Sequence, residues 1–132
     1  MSKKINNKKI VGKIGYCDNS VLGIRDNNGN IMKGGHYVYI REVDKDGKAN
    51  VNTITSLENK NGKYDFDKLH NAKFGHLYPI PVNDANFSRW SAINLGGNLN
   101  NIPLSKIEKI GSKHIKRRHQ FFVGKFTKKI KK

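Results

Sequence analysis

Two β-type segments joined by a short polar turn constrain the fold of this chain most strongly. Residues 36–43 read HYVYIREV and residues 49–57 read ANVNTITSL, and both are rich in β-branched and aromatic residues. Residues 44–47, Asp-Lys-Asp-Gly, have the composition of a tight turn. The pattern predicts an antiparallel hairpin, in which the start of the first strand lies beside the end of the second.

Similar short apolar runs follow one another along the chain and are separated by turns rich in Gly, Asn and Asp. This alternation is typical of an antiparallel β protein. Beyond the hairpin, strands are predicted at residues 9–16, 20–25, 77–82, 90–95 and 120–126. The two prolines in residues 77–82 predict an edge position for that strand, because proline cannot donate to a strand ladder.

Helical spacing is confined to the last third of the chain. Leu104, Ile107 and Ile110 recur at helical spacing after Pro103. Ser112 can cap a second short helix that carries the following basic residues.

Length and composition agree with a single domain. A chain of 132 residues with 36% hydrophobic content can fill one modest core. The order of elements predicts a mainly β (α+β) fold, namely a small SH3-like antiparallel barrel with short C-terminal helices. We expect one domain over residues 1–132, in which residues 1–8 and 127–132 are flexible basic tails.

The charge of the chain is large and unevenly placed. The net charge of +16 comes from five lysines and no acid in residues 1–14, nine bases and nine acids in residues 15–84, and twelve bases beside Glu108 in residues 85–132. A neutral body with positive flanks attracts a polyanion to those flanks, so RNA or DNA is the expected partner. A membrane is disfavoured because no stretch approaches the ~20 apolar residues of a spanning helix.

Cysteine content and the first residues indicate a reducing cytoplasm. Cys17 is the single cysteine, so neither an intramolecular disulfide nor a zinc-finger thiolate site is expected. Residues 1–13 lack the apolar core of a secretory signal. The five histidines show no HExxH spacing, and no GxxxxGKS or GxxxxGKT phosphate loop is present, so neither a metal nor a cofactor is predicted.

The hairpin brings together the residue types that metal-free RNA cleavage needs. In that reaction the ribose 2′-hydroxyl attacks the adjacent phosphorus and leaves a cyclic phosphate, while the enzyme supplies a proton acceptor, a proton donor, and cations or hydroxyls. The candidate catalytic residues are His36, Thr55, Ser56, Lys33 and Arg41. The alternative is structural, since Thr55 and Ser56 can simply end a strand and His36 can cap a turn.

The same segments resemble the MazF/Kid/PemK superfamily of toxin endoribonucleases. The similarity rests on a glycine-flanked basic residue, the strand HYVYIREV and a second strand that ends at residues 54–56, Ile-Thr-Ser. Residues 91–95 and 102–104 look like the strand and connection that follow in that fold. The resemblance covers about residues 9–110 and is greatest for the type III toxin-antitoxin branch, the ToxN-like and CptN-like proteins.

This resemblance implies an enzyme and its partners. It places Thr55 and Ser56 at active-site positions and gives His36 or Lys33 the role of the basic residue. It implies a growth-arresting or phage-defence toxin that cleaves single-stranded RNA and is held inactive by an RNA or protein antitoxin. Members of the superfamily are often dimers or assemble with their antitoxin, so a homo-oligomer is an expected form.

The basic C-terminal part supplies candidate nucleic-acid contacts. The residues expected to bind RNA are Arg89, Lys113, His114, Lys116, Arg117, Arg118 and His119. The alternative is a solvated basic face.

Two other classes of protein fit the same basic surface. One is a non-catalytic nucleic-acid-binding accessory protein of a mobile element, and the other is a structural ribosome-associated protein. Loss of the Thr55 and Ser56 hydroxyls would abolish catalysis and spare binding, so it separates an enzyme from both.

Overall fold

Six strands and three helices are present in the computed structural model, which describes residues 9–70, 76–80 and 89–129. The strands are β1 (Ile14–Asp18), β2 (Gly35–Val43), β3 (Lys48–Ser56), β4 (Leu77–Ile80), β5 (Ser91–Pro103) and β6 (Ile107–Glu108). The helices are α1 (Asn19–Leu22), α2 (Phe66–His70) and α3 (Arg117–Lys129), and Leu104–Lys106 form a 3-10 turn. The prediction of a mainly β (α+β) fold is confirmed.

The strands pair antiparallel in one sheet, in the order β4-β5-β3-β2-β1-β6. The β2–β3 hairpin is confirmed, with Val38 opposite Thr53. Asp44 stabilises its turn, because one carboxylate oxygen accepts the backbone N–H groups of Asp46 and Lys48, both at 2.9 Å. The strand that contains Pro79, β4, lies at an edge of the sheet as predicted, and residues 81 and 82 of the predicted strand lie outside the described residues.

Each face of the sheet carries a hydrophobic cluster. On one face Val123 of α3 joins Ile14, Tyr39, Ile54, Ile80, Ile93, Leu95 and Ile115. The cluster on the other face contains Cys17, Leu22, Val38, Ile40, Ala49, Val51, Ile102 and Ile107. Neighbours in β2, such as Tyr39 and Ile40, enter opposite clusters because side chains alternate along a strand.

The chain after β1 is helical, and the strand predicted at residues 20–25 is wrong. Asp18 caps α1, since its Oδ1 accepts the Ser20 N–H at 2.9 Å. Gly23 ends the helix in the left-handed conformation, with φ of 74°. A capping side chain and a glycine stop outweigh the β-branched residues between them.

β5 continues through Gly96 and Gly97, beyond the end of the predicted strand. The register between β3 and β5 shifts between Asn52 and Ile54, so β5 bulges opposite Thr53. A Cβ on Gly97 would lie 2.5 Å from Thr53 Oγ1, and this close approach requires glycine.

The C-terminal part differs most from the prediction. Residues 104–110 form the 3-10 turn and then β6, which pairs with β1, instead of a helix. Residues 120–126 are helical, not a strand, and residues 127–129 of the expected tail belong to the same 13-residue helix. Val123 and Thr127 lie four residues apart and are 0% and 5% exposed, so burial of this stripe favours the helix.

Candidate active site at one end of the hairpin

His36 lies at the start of β2, where an asparagine fixes the orientation of its ring. Its Nδ1 is 2.6 Å from Oδ1 of Asn19, and Nδ2 of Asn19 donates to the Lys33 carbonyl oxygen at 3.3 Å. Because the amide nitrogen faces a carbonyl acceptor, the amide oxygen faces the ring, and Nδ1 of His36 is the donor. The neutral ring therefore carries its lone pair on Nε2.

Asn19 is itself held between β1 and the chain that enters β2. It is 1% exposed, and its backbone N–H donates to the Gly34 carbonyl oxygen at 2.9 Å. Gly34 has a left-handed φ of 86°, and a Cβ on Gly35 would collide with the Cys17 carbonyl oxygen. The two glycines therefore allow the chain to approach β1 closely and to deliver His36 beside Asn19.

Partial burial keeps the His36 ring neutral. Desolvation lowers the pKa of His36 below its ordinary value of 6.5, because burial penalises the charged form. Near neutral pH the ring is therefore unprotonated, and Nε2 can accept a proton. This corner of the sheet thus contains a neutral imidazole that is oriented through Nδ1 and carries its lone pair on Nε2.

The end of β3 lies at the same end of the sheet. The ladder between β2 and β3 ends at Val38 and Thr53, and His36 and Thr55 each lie two residues beyond that pair. Both side chains are on the sheet face of the Val38–Thr53 pair, because side chains alternate with a period of two. The structure therefore brings His36 and Thr55 to neighbouring strands, on one face and at one end.

Ser56 lies on the opposite face and joins the turn after β3. Its Oγ accepts the backbone N–H of Glu58 at 3.0 Å. A hydroxyl that accepts in this way keeps its own hydrogen for donation. Ser56 is exposed, so it both ends the strand and presents a donor at the end of the sheet.

Lys33 is exposed in the loop before β2. Its carbonyl oxygen accepts the Asn19 amide, so the backbone of Lys33 and the ring of His36 are joined through one side chain. Lys33, His36 and Thr55 therefore belong to one corner of the molecule, which we call the histidine corner (Asn19, Lys33, His36 and Thr55).

Arg41 lies apart from the histidine corner. It is five residues from His36 along β2, or about 16 Å at the rise of an extended strand. Its side chain is 9% exposed, donates to Asn52 Oδ1 at 2.6 Å and places Nε 3.8 Å from Glu42 Oε1. Burial lowers the pKa of Arg41. Arg41 is an interior cation of the fold, and the sequence pattern missed this because composition does not reveal burial.

Cys17 lies directly opposite His36 in the ladder between β1 and β2. The side chain is 0% exposed, and burial, followed by the charges of Asp18 and Glu108, raises the pKa of the Cys17 thiol. A buried, protonated thiol is a poor nucleophile. Cys17 is therefore not a candidate nucleophile at this end of the sheet.

Exposed cations are frequent in the C-terminal part of the chain. The exposed basic residues of the described part from residue 89 onward are Arg89, Lys106, Lys109, Lys113, Lys116, Arg117, Arg118, Lys125, Lys128 and Lys129. The three lysines of α3 were not predicted as ligand contacts, because their segment resembles a strand and a tail in the sequence.

Within the described ranges, no helix is both long enough and apolar enough to cross a membrane.

The two predicted C-terminal histidines hold elements together. His114 donates from Nε2 to the Lys9 carbonyl oxygen at 2.6 Å and pairs with Lys13 in an isolated bridge. His119 Nδ1 lies 2.7 Å from the Tyr78 hydroxyl, and burial raises the pKa of Tyr78. His114 thus joins the approach to α3 to the N-terminal segment, and His119 joins α3 to β4.

Asn19 is the residue of this site that the sequence pattern did not predict. An asparagine between short apolar runs usually indicates a turn, and its role depends on the contact with a residue seventeen positions away. Because the sequence predicts a strand at residues 20–25, it does not reveal the helix α1 that presents the Asn19 amide to His36.

No protein-family model matches this sequence, and no curated protein shows significant similarity to it. The MazF/Kid/PemK resemblance therefore stays a hypothesis based on short motifs. The function has to be argued from the geometry of the histidine corner.

Proposed function

We propose that the protein binds single-stranded RNA and cleaves it without a metal ion, through attack of a ribose 2′-hydroxyl on the adjacent phosphorus. The observation that carries the proposal is the orientation of His36, whose Nδ1 donates to Asn19 and whose Nε2 keeps a lone pair. A neutral imidazole held by a side-chain amide is suited to accept a proton near neutral pH.

In the proposed reaction, Nε2 of His36 takes the proton of the 2′-hydroxyl as the 2′-oxygen bonds to phosphorus. The bond between phosphorus and the 5′-oxygen breaks, and the 5′-oxygen takes a proton from the Lys33 ammonium. The products are a 2′,3′-cyclic phosphate and a 5′-hydroxyl, and His36 and Lys33 regain their protonation states through water. The hydroxyl of Thr55, on the same face as His36, donates to the charged phosphate oxygens, and the hydroxyl of Ser56, on the opposite face, donates to a neighbouring phosphate where the RNA passes the end of β3.

The charge of the chain supports a polyanionic substrate. A net charge of +16 raises the local concentration of RNA, and the exposed cations around residues 113–118 are suited to bind phosphates. Such contacts hold the strand without reading its sequence. Binding should therefore weaken steeply as the salt concentration rises.

The proposal extends to the biological role that the resemblance implies. The chain would be a cytoplasmic toxin of the MazF/Kid/PemK type that acts on cellular or phage RNA. It would self-associate or assemble with an RNA or protein antitoxin. An RNA antitoxin would compete with the substrate for the same exposed cations.

Incubation of the purified protein with mixed-sequence single-stranded RNA in EDTA tests the proposal. We expect discrete cuts with cyclic-phosphate ends, and a fall in rate of about 10²- to 10⁴-fold for His36→Ala, because the proton acceptor is lost. The Thr55→Ala/Ser56→Ala double variant should also cut far more slowly and retain its RNA affinity. His76→Ala is the matched control, since this histidine is exposed and lies outside the histidine corner.

Tight binding to RNA that stays intact would reject the enzyme. It would favour the non-catalytic accessory protein, since binding needs only the exposed cations. Cuts that vanish in EDTA, or that persist in His36→Ala, would reject metal-free chemistry at His36.

A further inference from the structure

Three aromatic rings lie together just beyond the end of β3. The ring centroids of Tyr64 and Phe66 are 4.5 Å apart, and those of Tyr64 and Trp90 are 5.2 Å apart in an edge-to-face arrangement. Phe66 is 64% exposed and Trp90 is 41% exposed. We call this cluster the aromatic platform. Grouped rings with this much exposed surface are typical of a binding site and not of a core.

Backbone hydrogen bonds hold the aromatic platform against the end of β3. Leu57 donates its N–H to the Trp90 carbonyl oxygen at 2.7 Å, and the Trp90 N–H donates to Glu58 Oε2 at 3.2 Å. Asp65 donates its N–H to the Leu57 carbonyl oxygen at 2.7 Å. The platform is therefore tied to the two residues that follow Ser56. A surface fixed in this way loses little freedom when a planar ligand binds.

Two of the three ring residues follow a basic residue in the chain. Lys63 directly precedes Tyr64, Arg89 directly precedes Trp90, and both basic side chains are exposed. Of the acids near the rings in the chain, Glu58 accepts the Trp90 N–H and Asp65 accepts the Lys68 N–H, while Asp67 is exposed. A ring face next to a cation is suited to stack on a base and to contact its phosphate.

We infer that the aromatic platform is a stacking site for an unpaired base of single-stranded RNA, with Arg89 or Lys63 at the adjoining phosphate. The exposed cations Lys63 and Arg89, and the positive charge of residues 85–132 to which Arg89 and Trp90 belong, favour a polyanion over an apolar protein as the occupant. Bases inside a duplex do not present their faces, so the strand must be single. The inference rests on the proposed function in one respect, namely that the stacked nucleotide lies close to the bond that is cleaved. This position follows because the aromatic platform is tied to the two residues that follow Ser56.

Fluorescence tests the site directly, because Trp90 is the single tryptophan of the chain. The His36→Ala variant is titrated with adenosine and uridine trinucleotides, and separately with inorganic polyphosphate. We expect both trinucleotides to quench the emission, the adenosine form more strongly because its ring is larger. Polyphosphate should bind and leave the emission nearly unchanged. Equal quenching by polyphosphate, or none by either trinucleotide, would overturn the site.

A pair of matched variants locates the stacking surface. Phe66→Ala should weaken trinucleotide binding about tenfold, since one stacking partner is lost. Phe121→Ala removes a ring of α3 that is 63% exposed, close to the 64% of Phe66, and should weaken trinucleotide binding less than Phe66→Ala does. Equal losses in the two variants would contradict a site at the platform.

The outcomes separate this site from the proposed chemistry. Quenching by RNA that is never cut would support the stacking site and reject the enzyme. Cleavage without quenching would support the enzyme and reject the stacking site. If sedimentation shows that Phe66→Ala abolishes self-association and RNA binding is unaffected, the platform is a contact between copies of the chain and the inference fails.

Discussion

The two ends of the β2–β3 hairpin each pair a basic side chain with an asparagine, but they differ in access. At one end His36 uses Nδ1 to donate to Asn19, is only partly buried and keeps a lone pair on Nε2. At the other end the side chain of Arg41 is 9% exposed and donates to Asn52 at 2.6 Å. The first end is open to a ligand, and the second is closed.

The difference shows that burial and bonding, not residue type, decide whether a basic side chain is accessible or is enclosed in the fold. Asn52 completes its bonding inside the fold, since its Nδ2 donates to the Asn94 carbonyl oxygen and to Thr127 Oγ1, each at 3.2 Å. A buried guanidinium needs such partners because an unpaired buried charge is strongly destabilising. The closed end thus joins β2, β3, β5 and α3.

Removal of the cation at the closed end should have the largest effect on stability. Arg41→Ala should lower the free energy of unfolding by about 3 kcal/mol, because Asn52 Oδ1 is left without its donor in the interior. Urea denaturation measures the change. Lys45→Ala, in the exposed turn of the same hairpin, should change stability by less than about 0.5 kcal/mol. Similar small changes in both variants would contradict a structural role for Arg41 at the closed end.

The same substitution at the two ends should have different effects. Thr127→Val removes the hydroxyl that accepts from Asn52 and should cost about 1 kcal/mol of unfolding free energy, since Nδ2 keeps its bond to Asn94. Thr55→Val, at the open end, should cost less than about 0.5 kcal/mol. Urea denaturation of both variants checks the pair. Equal losses would mean that Thr55 is also part of a structural network.

The smallest of the expected effects is a pH dependence of stability caused by His36 at the open end. The folded-state pKa of His36 is lowered from 6.5, so the unfolded chain takes up its proton first as the pH falls. The contribution of His36 to the free energy of unfolding is therefore complete above pH 6.5. It decreases as the pH falls through the pKa of His36 in the unfolded chain and then through its lower pKa in the folded protein. Denaturation in a pH series should show a smaller decrease for His36→Gln than for wild type.

His76→Gln is the control for this series, because the His76 side chain is exposed in the folded protein. Its stability should follow the wild-type curve. If stability falls with decreasing pH as much in His36→Gln as in the wild type, His36 is not desolvated on folding.

The hairpin and the edge strand could be predicted because their causes are local. The β-branched runs, the Asp44 turn and Pro79 of β4 act over a few residues, and the structure agrees with each. The same local logic brought His36 and Thr55 to one end of the sheet, since antiparallel pairing fixes which strand ends meet.

The remaining features depend on distant contacts. α3 is a helix because Val123 and Thr127 bury against the sheet, which the sequence QFFVGKF does not reveal. The interior position of Arg41 depends on Asn52 and on α3, and the role of Asn19 depends on the approach of β2 to β1. Tertiary packing therefore explains the errors in the predicted secondary structure. It also explains why one basic side chain of the hairpin is accessible and the other is enclosed.

The most direct test of the open end is the rate of RNA cleavage under single-turnover conditions in EDTA, measured as a function of pH. If neutral His36 accepts the 2′-hydroxyl proton, the rate should rise with pH to a plateau. Its midpoint should lie below 6.5, because burial lowers the pKa of this ring. A midpoint above 6.5, or no cleavage at any pH, would contradict a catalytic base at His36.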